Sequence, residues 1–288
     1  MVSLMFAVLT TIGWGASDIF GALSSRRIGS YKTTYWVTVL AAVFLTLLAP
    51  LYLGELKSAQ WWTVALSAAL GIVLTYTYLA FTEALKDGDP AVVGTIAGSF
   101  VGPVVILSII FLHSSLAPTQ IACILAIIFG LTLTSLKTDG KKTHRWRPDR
   151  STLFAFLTLA GWTVYFTFIK IPVEHMGWFW PEYIAAMAGL VYVVLFWSRK
   201  AAVSHEHIAA TLGPSALAGL LGAGGSLAYN IALVSGNTAI IAPIAGSYPI
   251  LFVFLSYLLF KQSVKNGQKI GIAITLVGIV ALAACTVG

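Results

Sequence analysis

Ten apolar runs of about 20 residues follow one another along this chain of 288 residues, with little polar sequence between them. A run of that length crosses about 30 Å of hydrocarbon as an α-helix. Helices rather than barrel strands are predicted, because a backbone in lipid must satisfy its own hydrogen bonds and these runs do not alternate in polarity. The runs cover about residues 2–22, 33–53, 61–83, 91–112, 117–136, 151–170, 179–198, 210–234, 238–260 and 265–286. The sequence therefore predicts an all-α polytopic membrane protein with ten transmembrane helices.

Composition excludes an ordinary soluble or nucleic-acid-binding domain. Hydrophobic residues make up 58% of the chain and charged residues 9%, whereas a soluble domain has about 25% charged residues. The net charge of +7 comes mainly from Lys and Arg in the short gaps between apolar runs, where charge orients a membrane protein. We predict a multi-pass protein of the inner or plasma membrane, with the lipid bilayer and a small-molecule substrate as partners and no nucleic acid.

One long polar connection divides the chain into two halves of five apolar runs each. It is the segment KTDGKKTHRWRPDR at residues 137–150. The predicted organisation is a first five-helix unit at 1–137, a basic linker at 138–150 and a second five-helix unit at 151–288.

The two halves repeat each other at a constant offset of 148 positions. Chance matches of Ala or Leu are common in so apolar a sequence, but the offset also relates less common residues. The matches include IAGS at 96–99 with IAGS at 244–247, Trp14 with Trp162, Tyr35 with Tyr183, and Gln120 with Gln268. One register for all of these indicates an internal duplication.

An odd number of spans in each half predicts that the second half is inverted in the membrane relative to the first. Inverted repeats are typical of transporters, whose substrate site lies between the repeats near the midplane. The duplication therefore predicts alternating access as the mechanism. Because it already supplies a two-fold relation, both a monomer and a homodimer remain open.

The distribution of basic residues predicts the orientation of the chain. Fourteen Lys and Arg residues lie in loops that follow odd-numbered runs, and two lie in the other loops. By the positive-inside rule, the 137–150 loop is cytoplasmic and both termini are outside.

Four stretches resemble the EamA family of the drug/metabolite transporter superfamily, and together the resemblance covers essentially the whole chain. They are GWGASDIFGALSSRRIG, YLAFTEALKDGDPAVVGTIAGSFVGPVVIL, YNIALVSGNTAIIAPIAGSYPILFVFLSYLLF and QKIGIAITLVGIVAL. The resemblance implies two EamA repeats, a transport activity, and a central cavity lined by helices 1, 3, 4, 6, 8 and 9 with helices 5 and 10 behind. It also implies cytoplasmic termini, so both orientations remain open. The family's usual Gly-Glu pair after the fourth and ninth spans is replaced by His113-Ser114 and Lys261-Gln262.

Eight aromatic or polar residues within the predicted spans are candidates for substrate contact. They are Trp14, Tyr78, Ser99, Trp162, Tyr229, Asn230, Ser247 and Tyr248. Trp14 and Trp162 lie well inside their spans, although membrane tryptophans usually lie at the interface. Each indole N–H needs a partner, which a hydrated cavity or a ligand would supply. The alternative is that both rings fill space between helices.

The two IAGS copies contribute a pair of serines to this candidate set. Ser99 and Ser247 either bond a substrate or back-bond to their own helices. Gly94, Gly98 and Gly102 recur every four residues, a pattern that predicts close packing along the fourth span.

Asp18 and Glu83 are candidates for proton coupling, because ionisable residues within membrane spans are rare and usually functional. Each lies near the end of its span with basic residues nearby. The alternative is that both carboxylates reach the interface and have no role in transport.

No pattern in the sequence points to catalysis. His205-Glu206-His207 lies in a loop, and the other histidines lack the helical spacing of a metal site. We therefore predict no enzyme activity, no metal and no cofactor. The leading hypothesis is a secondary transporter that exports or exchanges small organic metabolites such as amino acids. The alternative is a non-transporting membrane receptor or scaffold protein.

Overall fold

The computed structural model describes residues 1–88, 90–135, 150–198, 208–251, 254 and 266–287. These residues are helical with short connections, and no strand occurs among them. A 3₁₀ segment, Ala49–Ser58, follows the second helix. The α-helices are α1 (Val2–Ile28), α2 (Ser30–Leu48), α3 (Trp61–Asp87), α4 (Pro90–Gly98), α5 (Val101–Phe111), α6 (Pro118–Ser135), α7 (Arg150–Phe168), α8 (Lys170–Met176), α9 (Trp180–Trp197), α10 (Ile208–Ser235), α11 (Thr238–Ala245) and α12 (Asn266–Val287).

Seven helical segments in the described part of the chain are long and apolar enough to cross a membrane. Three shorter apolar helices, Ile96–Phe111, Pro118–Thr134 and Thr238–Leu251, occupy the positions of the predicted fourth, fifth and ninth spans. The all-α membrane class is confirmed, whereas the count of ten spans stays a prediction. Nearly all of the 138–150 linker and most of the second part of the ninth span lie outside the described residues.

The helices of the two halves pack in pairs that are equivalent under the 148-residue shift. α1 packs on α10, and its counterpart α7 packs on α3. α2 packs on α10, and its counterpart α9 packs on α3. The last helices of the two halves, α6 and α12, pack on each other. Each of these helix contacts between the halves therefore has an equivalent contact when the halves are exchanged, as two-fold symmetry requires.

The same backbone turn ends the first span of each half. α1 ends at Gly29, with φ 84° and ψ 161°, and α8 ends at Gly177, with φ 76° and ψ −176°. This region of backbone space is essentially restricted to glycine. The two glycines are 148 positions apart, so the duplication has kept glycine at both positions where the backbone has a positive φ.

Glycines bring the backbones of neighbouring helices together at equivalent places in the two halves. A Cβ added at Gly71 of α3 would overlap the backbone of Ala185 in α9. Its counterpart Gly219 of α10 has the carbonyl oxygen of Val37 in α2 at 2.8 Å from the same notional atom.

In the fourth span the glycines face side chains or open space rather than a neighbouring backbone. A Cβ added at Gly98 would lie 3.6 Å from Pro249 Cγ and one at Gly102 would lie 3.9 Å from Ile128 Cδ1, whereas no described atom lies within 4 Å of one at Gly94.

The Gly71→Ala substitution is expected to destabilise the protein by about 1–3 kcal/mol, because overpacking against a rigid backbone forces helices apart. Thermal unfolding of the purified protein in detergent measures the effect. Gly94→Ala is the matched control, since there the methyl group enters open space and alanine favours the helix. Equal unfolding midpoints for the two variants would contradict the close approach of α3 to α9.

Candidate functional site

A cavity with about 140 Å³ of space open to water-sized molecules lies between α1, α2, α3, α7, α9 and α10. Among its 22 described lining residues, eight pairs are separated by 148 positions, and their first-half members are residues 14, 18, 37, 38, 71, 74, 75 and 78. Each half thus contributes the same helices and largely the same positions to the wall. The cavity therefore lies between the two halves, near the axis of the two-fold symmetry that relates them.

The helices around the cavity differ in part from those implied by the family resemblance. α2 and α9 contribute to the wall, whereas α4 and α5 contribute no described residue. The predicted ninth span contributes Tyr248. α6 and α12 are absent from the described wall and pack on each other, as the resemblance implied.

Trp14 and Trp162, which are counterparts in the two halves, both line the cavity. The ring of Trp14 lies 4.5 Å from that of Phe166, centroid to centroid, and its Nε1 lies 3.4 Å from the Ser226 hydroxyl oxygen. The ring of Trp162 lies 6.1 Å from that of Tyr248. Both tryptophans therefore pack against neighbouring helices and present part of their surface to the cavity.

A carboxylate and two phenol groups form the most polar part of the wall. Asp18 of α1 is 7% exposed, and the described residues donate no hydrogen bond to it. The hydroxyls of Tyr78 and Tyr248 lie within electrostatic reach of this carboxylate, and neither has a hydrogen-bond partner among the described residues. Buried polar groups are nearly always paired, so the lack of a hydrogen-bond partner among the described residues sets these three groups apart from the rest of the wall.

Glu182 is a wall residue that sequence reasoning missed. It lies in the first turn of α9 and is 5% exposed. The Tyr165 hydroxyl donates to its Oε2 at 2.7 Å, and Ser226 lines the same cavity near this carboxylate. An acid inside the predicted span 179–198 was the available signal, but acids are ordinary at helix N-termini. Only the packing of α7 and α10 around α9 places it in the cavity.

The charge of the wall is one-sided. Asp18 and Glu182 are its acids, and none of its described residues is Lys, Arg or His. A carboxylate removed from water is costly unless a proton or a cation compensates it. The cavity therefore favours cationic groups and disfavours anions.

Tyr229 and Asn230 lie behind the wall rather than in it. The Tyr229 hydroxyl donates to the backbone oxygen of Phe166 at 3.0 Å, which ties α10 to α7. The Asn230 Nδ2 donates to the backbone oxygen of Trp178 at 3.1 Å, which ties α10 to the segment before α9. Both residues are 1% exposed, and of their side-chain polar atoms only the Asn230 Oδ1 has no hydrogen-bond partner in the described part of the chain.

Tyr229→Phe is expected to lower the stability by about 0.5–1.5 kcal/mol, because a buried hydrogen bond to a carbonyl is lost. The affinity for a ligand of the cavity should stay within about a factor of two of wild type, since the hydroxyl faces α7. Thermal unfolding and a ligand titration measure the two quantities. A selective loss of substrate affinity at unchanged stability would return Tyr229 to the binding site.

Both IAGS copies lie where a predicted span is interrupted. α4 ends at Gly98 and α5 begins at Val101, while α11 ends at Ala245 and helical structure resumes at Tyr248. The same i to i+3 backbone hydrogen bonds occur at both interruptions, with N to O distances of 3.1–3.3 Å. They join 99 to 96 and 102 to 99 in the first copy, and 247 to 244 and 250 to 247 in the second. Such bonds tighten a turn in place of the regular helical ones.

Prolines explain these two interruptions. Pro103 has no N–H to donate to the carbonyl of Ser99, which accepts from Gly102 instead. Pro249 likewise cannot donate to the carbonyl of Ala245. The Thr11 hydroxyl of α1 donates to the preceding carbonyl, that of Ile244, at 2.8 Å, so a side chain of the other half supports the broken helix.

Neither serine of the IAGS copies lines the cavity. The Ser247 hydroxyl is buried and donates to the carbonyl of Pro243 at 2.8 Å, which is the back-bonding alternative. Ser99 is exposed and borders a small cleft with Ile128 and Pro249.

Glu83 also lies outside the cavity, near the end of α3. The Ser30 hydroxyl donates to its carboxylate at 3.3 Å, and the charged groups of Lys86 and Arg150 each lie 4.0 Å from it. Because Arg150 begins α7, this carboxylate links the two halves. The His205-Glu206-His207 cluster lies outside the described residues.

Comparison with known proteins gives a family match, matches to solved structures and one negative result. The sequence profile of the EamA-like transporter family matches residues 1–136 and 150–284, one match in each half. A solved crystal structure of another protein has a TM-score of 0.68 at 18% sequence identity, over 98% of this chain and 96% of its own. This likeness shows a shared fold. No curated protein matches the sequence.

Proposed function

Because the chain belongs to the EamA-like transporter family, we propose that it is a secondary transporter of small organic metabolites, such as amino acids. It exports or exchanges them across the inner or plasma membrane. Its two five-helix repeats are inverted in the bilayer, and alternating access between them exposes the cavity to one side at a time.

The position of the cavity is the observation that carries this proposal. Its wall is built from equivalent positions of both halves, with eight residue pairs at the offset of 148. A relative movement of the halves therefore changes access to the cavity from either side. A receptor or scaffold has no need of such a shared cavity.

Unequal packing of two equivalent interfaces supports alternating access. The α1–α10 interface corresponds to the α3–α7 interface, yet α1 and α10 make the more extensive contact. At one end of this interface the Ser24 and Ser215 hydroxyl oxygens are 2.8 Å apart, and at the other end those of Ser3 and Ser235 are also 2.8 Å apart. In alternating access, the α1–α10 and α3–α7 interfaces open and close in turn. A single conformation is therefore expected to have one interface packed more tightly than the other.

Asp18 is the residue proposed to bind the coupling proton. It lies in the cavity wall without a basic neighbour among the described lining residues. Glu83 is the weaker candidate, because Ser30, Lys86 and Arg150 surround it outside the cavity. A proton on Asp18 would neutralise the site whenever no cationic group occupies it.

Counterflow in proteoliposomes tests the proposed function. Vesicles are loaded with a mixture of unlabelled amino acids and related metabolites, and the entry of single labelled tracers is followed. Saturable entry above that of protein-free vesicles is expected for at least one tracer. If correctly inserted, folded protein moves none of the tracers, the transporter proposal is wrong and the receptor or scaffold alternative gains support.

A further inference from the structure

We infer that the cavity selects amines: a substrate ammonium group lies beside Asp18, and an apolar ring lies against Trp14, Trp162 and Phe166. This inference rests on the proposed function and narrows its substrate class. It favours amines whose carboxylate is absent or masked over free amino acids.

The charge of the wall is the first argument for amine selection. Asp18 and Glu182 face the same cavity, with no basic residue among the described lining residues to bind a substrate carboxylate. In a cavity of low polarity, unit charges interact much more strongly than in water. An ammonium group gains from both acids, whereas a carboxylate is repelled by both.

The two acids differ in how they are already satisfied. Glu182 accepts a hydrogen bond from the hydroxyl of Tyr165, while the described residues donate none to Asp18. An uncompensated carboxylate in an apolar bundle has more to gain from a ligand cation. Asp18 is therefore the principal anchor, and Glu182 adds to the negative field.

Two unpaired phenols provide an independent argument. The hydroxyls of Tyr78 and Tyr248 are buried in the wall near Asp18 without hydrogen-bond partners among the described residues. Tyr248 is only 5% exposed, so bulk water does not readily satisfy it. Oxygen atoms that lack a proton donor add to the negative field beside Asp18, which favours a cation over a carboxylate whether or not the cation carries N–H groups.

The aromatic residues of the wall suit the rest of such a ligand. The Trp14 and Phe166 ring centroids are 4.5 Å apart, and those of Trp162 and Phe166 are 6.4 Å apart. Such faces attract both apolar rings and cations. The two sides of the cavity differ at equivalent positions: Asp18 corresponds to Phe166, and Tyr78 corresponds to Ser226. The acid and the aromatic ring therefore lie on opposite halves, which orients an aromatic amine.

A matched ligand series tests the inference by calorimetry on the purified protein in nanodiscs. The probes share one ring and differ in charge: phenethylamine and its trimethylammonium analogue, phenylalanine, phenylacetate and 2-phenylethanol. We expect the two cations to bind about tenfold or more tighter than phenylalanine, and phenylacetate not to bind. Tighter or equal binding of phenylalanine or phenylacetate by the wild-type protein overturns the inference, whatever the variants do.

Two charge-neutralising variants locate the effect. Asp18→Asn should weaken binding of the trimethylammonium analogue by about tenfold or more and leave 2-phenylethanol unchanged. Glu174→Gln removes the same charge from a side chain that is 52% exposed and paired with Lys170, and it should leave both affinities unchanged. Retained cation affinity in folded Asp18→Asn contradicts the role given to Asp18.

Counterflow of the membrane-impermeant trimethylammonium analogue separates the two proposals. Saturable counterflow of another solute, together with no cation binding, overturns the amine inference and leaves the transporter proposal standing. If the cation binds but no solute is transported, the inferred amine site stands and the transporter proposal is overturned.

Discussion

A disulfide between cysteines introduced at Ser24 and Ser215 is expected to abolish counterflow, and reduction is expected to restore it. The two hydroxyl oxygens are 2.8 Å apart across the α1–α10 interface, so the side chains are close enough for a disulfide without large backbone movement. α1 belongs to the first half and α10 to the second. If transport requires the halves to rock, a covalent bond at this end of the interface holds one conformation.

The protein carries its own control for this cross-link. Cys123 in α6 and Cys285 in α12 are free thiols close enough to interact electrostatically, and the α6–α12 interface maps onto itself when the halves are exchanged. It therefore has no need to open in alternating access, and oxidising this native pair should leave flux largely unchanged. The test pair is placed in a Cys123→Ala, Cys285→Ala background, with Ser24→Cys alone as the single-cysteine control. Full flux through the cross-linked test pair would show that the α1–α10 interface does not move.

Trp14→Ala is expected to raise the half-saturation concentration for the transported solute by about tenfold or more, because a buried aromatic anchor in a cavity wall contributes strongly to binding. Uptake by proteoliposomes over a concentration series measures this. The ring also packs on Phe166 and Tyr229, so truncation is expected to lower the stability by about 3–5 kcal/mol. Trp14→Phe keeps much of the packing and should show a smaller shift in the same direction.

Ser247→Ala is the matched comparison for Trp14→Ala. Both residues were predicted from the sequence to contact substrate, but the Ser247 hydroxyl donates to its own helix and does not line the cavity. We expect unchanged transport in Ser247→Ala. An effect as large as that of Trp14→Ala would place the substrate near the interrupted ninth span instead.

Several features of this protein followed directly from the sequence. The apolar runs predicted an all-helical membrane protein, because lipid leaves the backbone no other way to pair its polar groups. The constant offset predicted a duplication, and the helix contacts and cavity wall repeat at that offset. Trp14 and Trp162 were singled out as tryptophans well inside their spans and Asp18 as an ionisable residue within a span, and all three line the cavity.

The tertiary structure decided which faces of the helices meet the cavity. In a soluble helix the apolar stripe marks the buried face, but membrane helices are apolar all round and lack that signal. Tyr229 is a predicted ligand contact whose hydroxyl bonds the backbone of α7 and which is not among the described residues of the cavity wall. Glu182 looked like an ordinary acid at the start of a helix, yet the rotation of α9 places it in the cavity wall. The sequence by itself determined that the chain consists of two repeats and which positions in them are equivalent, because both features depend only on the order and spacing of residues. The cavity and its one-sided charge depend on helix rotation and packing, which order and spacing do not encode.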